Sequence, residues 1–347
     1  MNQELLSRCS NAAAPSGFEG PVRAIIRQEL GGISQVSTTT AGNIVCELPG
    51  SGGPTVALLS HMDEIGFMVQ GITPDGFLLI VPLGGWWNHT LPSQRVLVHT
   101  RGGRSIPGQI GTKPPHLLPE SQRQSVMPND ALFIDIGASS GEEVAACGIT
   151  IGCAVTPDVQ LQPLELPHRW MGKAFDNRAG VYCMVESMKR LAAEKPACTV
   201  LGIGTVQEEV GTRGAFGAAF SVVPDIALIL EGTTAADLPM MEGRQKVCAP
   251  GKGPVIPYMD GGTVYDRRLF ELLRGLAVEN RIPWQTKEYL SGGTDAGAIQ
   301  KSRAGVRVAA ISAAVRYLHT PSSVCAVEDC ENILKLARLF VKAVAEG

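Results

Sequence analysis

Two adjacent glutamates, Glu208 and Glu209, are the residues of this sequence best suited to chemistry. They follow the apolar run Thr199 to Val206, which predicts a buried strand, and they precede a glycine-containing turn at 211–214. Neighbouring carboxylates at the end of a strand repel each other and lose hydration, so a bound cation would stabilise them. We therefore predict a metal centre in which Glu209 is a ligand and Glu208 is free to act as a general base.

Further residues of metal-binding types recur along the chain, and His61, Glu231 and His319 each follow an apolar run that predicts a strand. The full set of additional candidates is His61, Asp63, Asp176, Glu231 and His319. In open α/β sheets, functional residues gather beyond the carboxyl ends of the strands. Two imidazoles with several carboxylates suit Zn²⁺, Co²⁺ or Mn²⁺ better than Ca²⁺ or Mg²⁺, which prefer oxygen ligands alone.

Two of these candidates have more specific interpretations. Asp63 lies two residues after His61, on the same side of an extended segment, so it is placed to accept the second imidazole N–H and orient the ring. Asp176 is the best candidate for a carboxylate that bridges two metals. The alternative is an N-cap of the helix that the sequence predicts from about Asn177.

A glycine-rich segment at 291–297 has the sequence S-G-G-T-D-A-G. It lacks the spacing of the phosphate-binding motifs G-x-x-x-x-G-K and G-x-G-x-x-G. We interpret it as a substrate-facing loop in which Thr294 and Asp295 lie near the metals. The alternative is a plain turn in which Asp295 caps a helix.

Composition excludes several classes of protein. The chain has 347 residues, of which 44% are hydrophobic and 18% charged, as in a globular protein of about two domains. The net charge is −3 without a basic run, which argues against nucleic-acid binding, and no apolar stretch has the ~18–20 residues of a membrane helix. Nine cysteines without a C-x-x-C motif, and an N-terminus without secretory features, predict reduced thiols in the cytoplasm.

The order of predicted elements indicates an α/β fold with an inserted β domain. Short apolar runs separated by Gly, Pro and Asn fill residues 66–157, which is typical of a small barrel or sandwich. Residues 1–65 and 158–347 alternate between strand and helix patterns, including a strand predicted near Trp284–Tyr289. We predict one α/β domain from these two segments, interrupted by the β domain.

Taken together, the motifs resemble those of the dinuclear-metal aminopeptidases of the tetrahedral (TET) type, which include glutamyl and deblocking aminopeptidases. The resemblance covers essentially the whole chain. The motifs are P-S-G-F-E at 15–19, H-M-D-E-I-G at 61–66, I-G-T-K-P-P-H at 110–116, K-A-F-D-N-R-A-G at 173–180, V-Q-E-E-V-G-T-R-G-A at 206–215, S-G-G-T-D-A-G at 291–297 and R-Y-L-H-T-P at 316–321.

The resemblance implies a phosphorylase/hydrolase-like mixed sheet flanked by helices, with an inserted barrel-like domain for oligomerisation. It implies two divalent ions, zinc or cobalt, bound by His61, Asp176, Glu209, Glu231 and His319. Asp176 would bridge, Glu208 would accept a proton and Asp63 would orient His61. It further implies short peptide substrates and a dodecamer built from dimers. Many relatives carry Asp at position 231, where this chain has Glu.

Two other functions remain as alternatives. Some relatives of this family are labelled as endoglucanases, and a glycoside hydrolase would also use two carboxylates. However, Glu208 and Glu209 are too close in sequence to flank a sugar bond easily, and only 5% of the residues are aromatic. The second alternative is an inactive scaffold or binding paralogue, against which the complete set of predicted ligands argues.

Overall fold

A nine-stranded mixed sheet forms the centre of the fold. The structure is a computed structural model that describes residues 1–290 and 292–346. In spatial order, its strands are β1 (Gln35–Thr38), β2 (Ile44–Leu48), β12 (Thr199–Thr205), β3 (Thr55–His61), β13 (Ile226–Thr234), β14 (Arg307–Arg316), β15 (Ser323–Ala326), β11 (Arg169–Gly172) and β10 (Gln162–Pro163). The four strands β12, β3, β13 and β14 are parallel neighbours, whereas the outer strands pair antiparallel. The carboxyl ends of the four parallel strands therefore meet at one edge.

Helices cover both faces of this sheet. They are α1 (Gln3–Asn11), α2 (Gly20–Leu30), α4 (Phe175–Glu194), α5 (Arg213–Val222), α6 (Arg267–Glu279), α7 (Ala296–Ile299) and α8 (Val327–Glu346). Successive residues of β3 point to opposite faces, so Val56 and Leu58 pack with α1, α2, α4, α6 and α8, while Ala57 and Leu59 pack with α5 and α7. Burial on both faces explains why the central strands are continuous apolar runs.

A closed antiparallel barrel is inserted after β3. Its strands are β4 (Gly66–Ile72), β5 (Leu78–Leu83), β6 (Arg95–His99), β7 (Ser105–Gly111), β8 (Phe133–Asp135) and β9 (Ala154–Pro157), with the short helix α3 (Gly141–Ala146) between the last two. The barrel has its own apolar core, which includes Phe67, Ile110 and Val155. The predicted fold class, a mixed sheet flanked by helices with an inserted β-barrel, is confirmed.

The structure differs from the sequence-based predictions at two segments, 284–289 and the end of β13. The segment Trp284–Tyr289 is not a strand and contributes only a single bridge, between Gln285 and Val255. β13 continues beyond Glu231 to Thr234, so Glu231 lies within the strand rather than at its end. All nine cysteines are free thiols, as expected, and no helix of the described chain is long and apolar enough to cross a membrane.

Candidate metal centre

The predicted ligands converge at the carboxyl edge of the four parallel strands. Glu208 and Glu209 follow β12, His61 ends β3, Glu231 lies near the end of β13, and His319 follows β14. The register places Thr205 of β12 opposite His61 of β3, so the residues after β12 lie beside the imidazole. The sheet thus brings together residues that are more than a hundred positions apart in sequence.

Asp176 is the residue that joins two groups of potential ligands. Its Oδ1 atom lies 3.1 Å from Nε2 of His61, which is 3.4 Å from Oε1 of Glu231. Its Oδ2 atom lies 3.5 Å from Nε2 of His319, which is 3.3 Å from Oε2 of Glu209. In each group of three, the candidate ligand atoms lie within 4.8 Å of one another. The two oxygens of one carboxylate therefore face two different sets of ligands.

The start of α4 explains why Asp176 is available for this position. Asp176 and Asn177 have non-helical dihedral angles, so the regular helix begins after them. The side chain of Asn177 accepts a hydrogen bond from the backbone N–H of Gly180 at 3.0 Å, as an N-cap does, and donates one to the carbonyl of Leu230 on β13. Asn177 rather than Asp176 caps the helix, which leaves the Asp176 carboxylate facing the histidines.

Two buried carboxylates hold the turn that carries the glutamate pair. Asp63 accepts the backbone N–H groups of Glu208 at 3.0 Å and Glu209 at 3.1 Å, and also the hydroxyl of Ser16 at 2.6 Å. Glu19 accepts the N–H of Gln207 at 3.1 Å. Three successive amides are thus fixed by residues of the segments 15–19 and 61–66. Asp63 also contacts His61, whose Nδ1 lies 3.1 Å from the Asp63 backbone carbonyl and 3.4 Å from its carboxylate.

A buried ion network links the two segments that supply His61 and Asp176. Lys173 donates to both carboxylate oxygens of Glu64 at 2.7 Å, and Arg178 approaches the same carboxylate at 3.2 Å. All three side chains are at most 3% exposed. Breaking such a network would leave a buried charge without its partner, so it fixes the position of 61–64 relative to 173–178. Our interpretation of the sequence assigned no role to these residues, although two of the quoted motifs contain them.

The pKa values of the site reflect the burial of several carboxylates and imidazoles close together. Burial raises the pKa of Glu208 to about 10, and the carboxylates of Asp295, Glu231 and Glu209 add to this, although His61 opposes it. Burial also raises the pKa of Glu231 to about 7. Burial alone would lower the pKa of His319, but its hydrogen bonds with Asp176 and Glu209 raise that pKa to about 11. Asp176 is the exception, since burial would raise its pKa but the hydrogen bonds with His319 and His61 lower it. Such opposed shifts are typical of a crowded cluster of carboxylates and imidazoles that a bound cation would stabilise.

A further observation fits divalent metals at this site. Oε1 of Glu209 is buried and has no hydrogen-bond partner among the described residues. An unsatisfied buried carboxylate oxygen is unfavourable unless a charge or donor reaches it. Together with the two triads, this oxygen makes the donor set of imidazoles and carboxylates suitable for a borderline metal such as zinc or cobalt.

The candidate ligands line a cleft of about 440 Å³, which Glu208 also lines. Thr294 lies in this lining, and its hydroxyl accepts a hydrogen bond from the N–H of Ala296. Asp295 is 1% exposed, does not line the cleft and accepts a hydrogen bond from the hydroxyl of Thr205. The first residue of the glycine-rich motif, Ser291, lies outside the described residues.

Comparison with known proteins identifies the family of the chain. A family model described as M42 glutamyl aminopeptidase matches residues 42–336, which is most of the chain. The chain belongs to the M42 glutamyl aminopeptidase family. Individual proteins are similar over nearly their full length. The putative aminopeptidase FrvX of Escherichia coli is 36% identical over 98% of this chain and 95% of its own length. The lysyl aminopeptidase of Pyrococcus furiosus is 32% identical over 98% of this chain and 96% of its own length.

Solved structures related to this M42 chain share its fold over nearly the full length. A TET aminopeptidase from a marine sediment archaeon of the Thaumarchaeota superposes with a TM-score of 0.95, 35% identity and coverage of 99% of this chain and 98% of its own. The TET1 peptidase of Pyrococcus horikoshii, described as able to assemble into a tetrahedron or a large octahedral shell, has a TM-score of 0.87, 31% identity and 98% coverage of both chains. A structure described as an endoglucanase from Thermotoga maritima has a TM-score of 0.80, 30% identity and 98% coverage of both chains.

Proposed function

We propose that this protein is an aminopeptidase with a dinuclear metal centre, which hydrolyses the N-terminal residue from short peptides. The observation that carries the proposal is the Asp176 carboxylate, whose two oxygens face one triad each. His61 and Glu231 would hold one divalent ion with Asp176, and Glu209 and His319 would hold the other. When bound, such ions polarise a carbonyl and make a water molecule more acidic.

Glu208 is the general base of this proposal. Its carboxylate lines the cleft next to the proposed ligand Glu209, and no hydrogen bond from the described residues ties it down. It is therefore free to take a proton from an attacking water and to return it to the leaving amine. Asp63 holds the Glu208 backbone by accepting a hydrogen bond from the Glu208 N–H at 3.0 Å, which limits the positions that the base can occupy.

The cleft is also suited to a substrate that begins with a free amine. Four carboxylates line it, from Asp176, Glu208, Glu209 and Glu231. In the proposed centre Asp176, Glu209 and Glu231 would bind the two divalent ions, whose positive charge offsets these carboxylates. A metal or a nearby acidic group would then receive the free α-amine of the peptide, which is why we propose cleavage at the amino terminus rather than within the chain.

The proposed activity predicts a chelator-sensitive reaction. We expect enzyme loaded with Zn²⁺ or Co²⁺ to release the amine from at least one aminoacyl-anilide, to lose this activity after dialysis against a chelator, and to regain it on addition of either metal. A carbohydrate substrate such as soluble cellulose, assayed in parallel, should not be cleaved. Hydrolysis of the carbohydrate that survives chelation, without anilide hydrolysis, would instead favour a glycoside hydrolase. Metal content near zero with no hydrolysis would favour the inactive paralogue.

We also propose that the chain forms a homo-oligomer, a dodecamer built from dimers, through the β domain of residues 66–157, while 1–65 and 158–347 form the catalytic domain. The likeness to a peptidase described as forming a tetrahedron supports this proposal. We expect sedimentation velocity to give one species of about twelve times the 36.7 kDa chain mass. A monomer at micromolar concentration would contradict it.

The nine free thiols support a reducing, cytoplasmic location.

A further inference from the structure

A second cavity, of about 410 Å³, adjoins the cleft of the candidate metal centre. Glu208, Gly293 and Thr294 line both spaces, so the two meet at the proposed general base. None of the five proposed metal ligands is among the described residues that line the second cavity. We call this space the outer groove, and the rest of its lining consists of Thr212, Phe216, Gly262, Gly297, Ala298 and Lys301.

The outer groove lies between the beginning of α5 and the short helix α7. The carbonyl of Glu208 accepts hydrogen bonds from the N–H groups of Gly211 at 2.9 Å and Thr212 at 2.8 Å, so a tight turn joins the base to the start of α5. On the other side, a β-carbon at Gly297 would lie 3.3 Å from the carbonyl oxygen of Gly262. This wall is largely glycine backbone, which leaves room for a side chain that enters the groove.

Phe216 is the large apolar side chain of this lining, and it is 53% exposed. It lies on the outer face of α5, whereas Ala215 and Ala219 of the same helix are buried against the sheet. Phe220, one turn later, is 52% exposed but lines neither cavity, and the guanidinium of Arg303 lies 4.3 Å from the centre of its ring. An apolar side chain in the outer groove would cover the Phe216 ring, which is favourable because it removes apolar surface from water.

The proposed reaction indicates which part of a peptide reaches the outer groove. The carbonyl of the first residue must lie at the metal centre, and the leaving amine must lie at Glu208, since this base returns the proton to it. That amine belongs to the second residue of the peptide, and the cleft meets the outer groove at Glu208. We propose that the outer groove binds the side chain of the second residue, and that Phe216 determines a preference for an apolar residue at this position. This inference rests on the proposed aminopeptidase function.

The side chain of the first residue is the alternative occupant of the outer groove. It is attached next to the carbonyl that must lie at the metal centre, and the cleft that holds the ligands has about 440 Å³ of its own. The lining of the outer groove contains no proposed ligand. A first residue held at the metal centre therefore lies in the cleft, and the second residue is the better candidate for the groove.

The test compares dipeptide amides that differ at one position, on metal-loaded enzyme. Amides lack the C-terminal carboxylate, which would otherwise be free to bind the exposed ammonium of Lys301. We expect kcat/KM for Leu-Leu-amide to exceed that for Leu-Ala-amide by ~3- to 10-fold, because leucine buries more apolar surface but the half-exposed ring covers only part of it. Phe216→Ala should bring this ratio close to one. It should not change the ratio of Leu-Ala-amide to Ala-Ala-amide, which reports on the first residue.

A binding measurement separates recognition from turnover. Titration calorimetry of Leu-Leu-amide and Leu-Ala-amide on the slow variant Glu208→Gln should give dissociation constants that differ in the same direction. Adding Phe216→Ala to this variant should remove the difference. Phe220→Ala is the matched control, because it changes the same residue type on the same helix at nearly the same exposure, and it should leave every ratio unchanged.

The possible outcomes distinguish this inference from the proposed function. A Leu-Leu to Leu-Ala ratio that is unchanged in Phe216→Ala, or close to one in the unmodified enzyme, would overturn the role of Phe216 and leave the aminopeptidase function intact. A change confined to the ratio for the first residue would overturn it as well, by placing that side chain in the outer groove. Failure of the unmodified enzyme to hydrolyse any dipeptide amide or aminoacyl-anilide would reject the proposed function itself.

Discussion

Replacing Glu208 with glutamine is expected to lower kcat for an aminoacyl-anilide by ~10²–10⁴-fold, the usual contribution of a general base. Glutamine has nearly the same shape but cannot take a proton from water at neutral pH. Because Glu208 belongs to neither ligand triad, the metal content of Glu208→Gln should equal that of the unmodified protein. Steady-state kinetics and elemental analysis of the same preparation measure both quantities.

A matched control separates this effect from a general loss of structure. Glu279 lies at the exposed end of α6, and Glu279→Gln should keep full activity. Wild-type turnover by purified Glu208→Gln would show that another group accepts the proton. Loss of metal together with activity would place Glu208 among the ligands instead.

Removing the Asp176 carboxylate is expected to abolish binding of both metal ions, since each triad loses one of its three ligand groups. Glu231→Ala and Glu209→Ala each affect one triad, so either variant should retain about one equivalent of metal per chain. Activity should be lost in Asp176→Ala, because both proposed ions take part in polarising the substrate and the water. Isothermal titration of metal-free protein with Zn²⁺ gives the stoichiometry and affinity for each variant.

An aspartate outside the candidate site provides a matched control for Asp176→Ala. Asp75 is exposed in the loop between β4 and β5, so Asp75→Ala should bind two equivalents like the unmodified protein. Should Asp176→Ala bind one ion with undiminished affinity, its carboxylate would belong to a single site and the bridging proposal would be wrong. Circular dichroism of the metal-free variant controls for loss of the fold at the start of α4.

Much of the fold was predictable because its causes are local. The apolar run that became β12 and the amphipathic pattern that became α8 follow from residues close in sequence, which determine which face of an element is buried. The strand predicted near Trp284–Tyr289 failed because this segment pairs at one position only, with Val255. Strand formation requires a neighbouring partner, and a local pattern does not supply one.

The candidate site was partly predictable for the same reason. The residue types of His61, Glu209 and His319, together with their positions after apolar runs, are enough to indicate metal ligands. The extent of β13 beyond Glu231 was not foreseen, because the residues Gly232 to Thr234 resemble a loop. In the structure, the backbone N–H and C=O groups of these residues pair with β14. The sequence alone does not identify this partner strand.

By itself, the sequence determined most of the elements, the candidate ligands and the family, since these depend on residue identity and short-range spacing. Only the tertiary structure decided which oxygen of Asp176 faces which triad and how Asp63 holds the amides of Glu208 and Glu209. These are contacts between residues far apart in the chain. Their geometry results from strand order, register and helix packing acting together, and no local pattern encodes that combination.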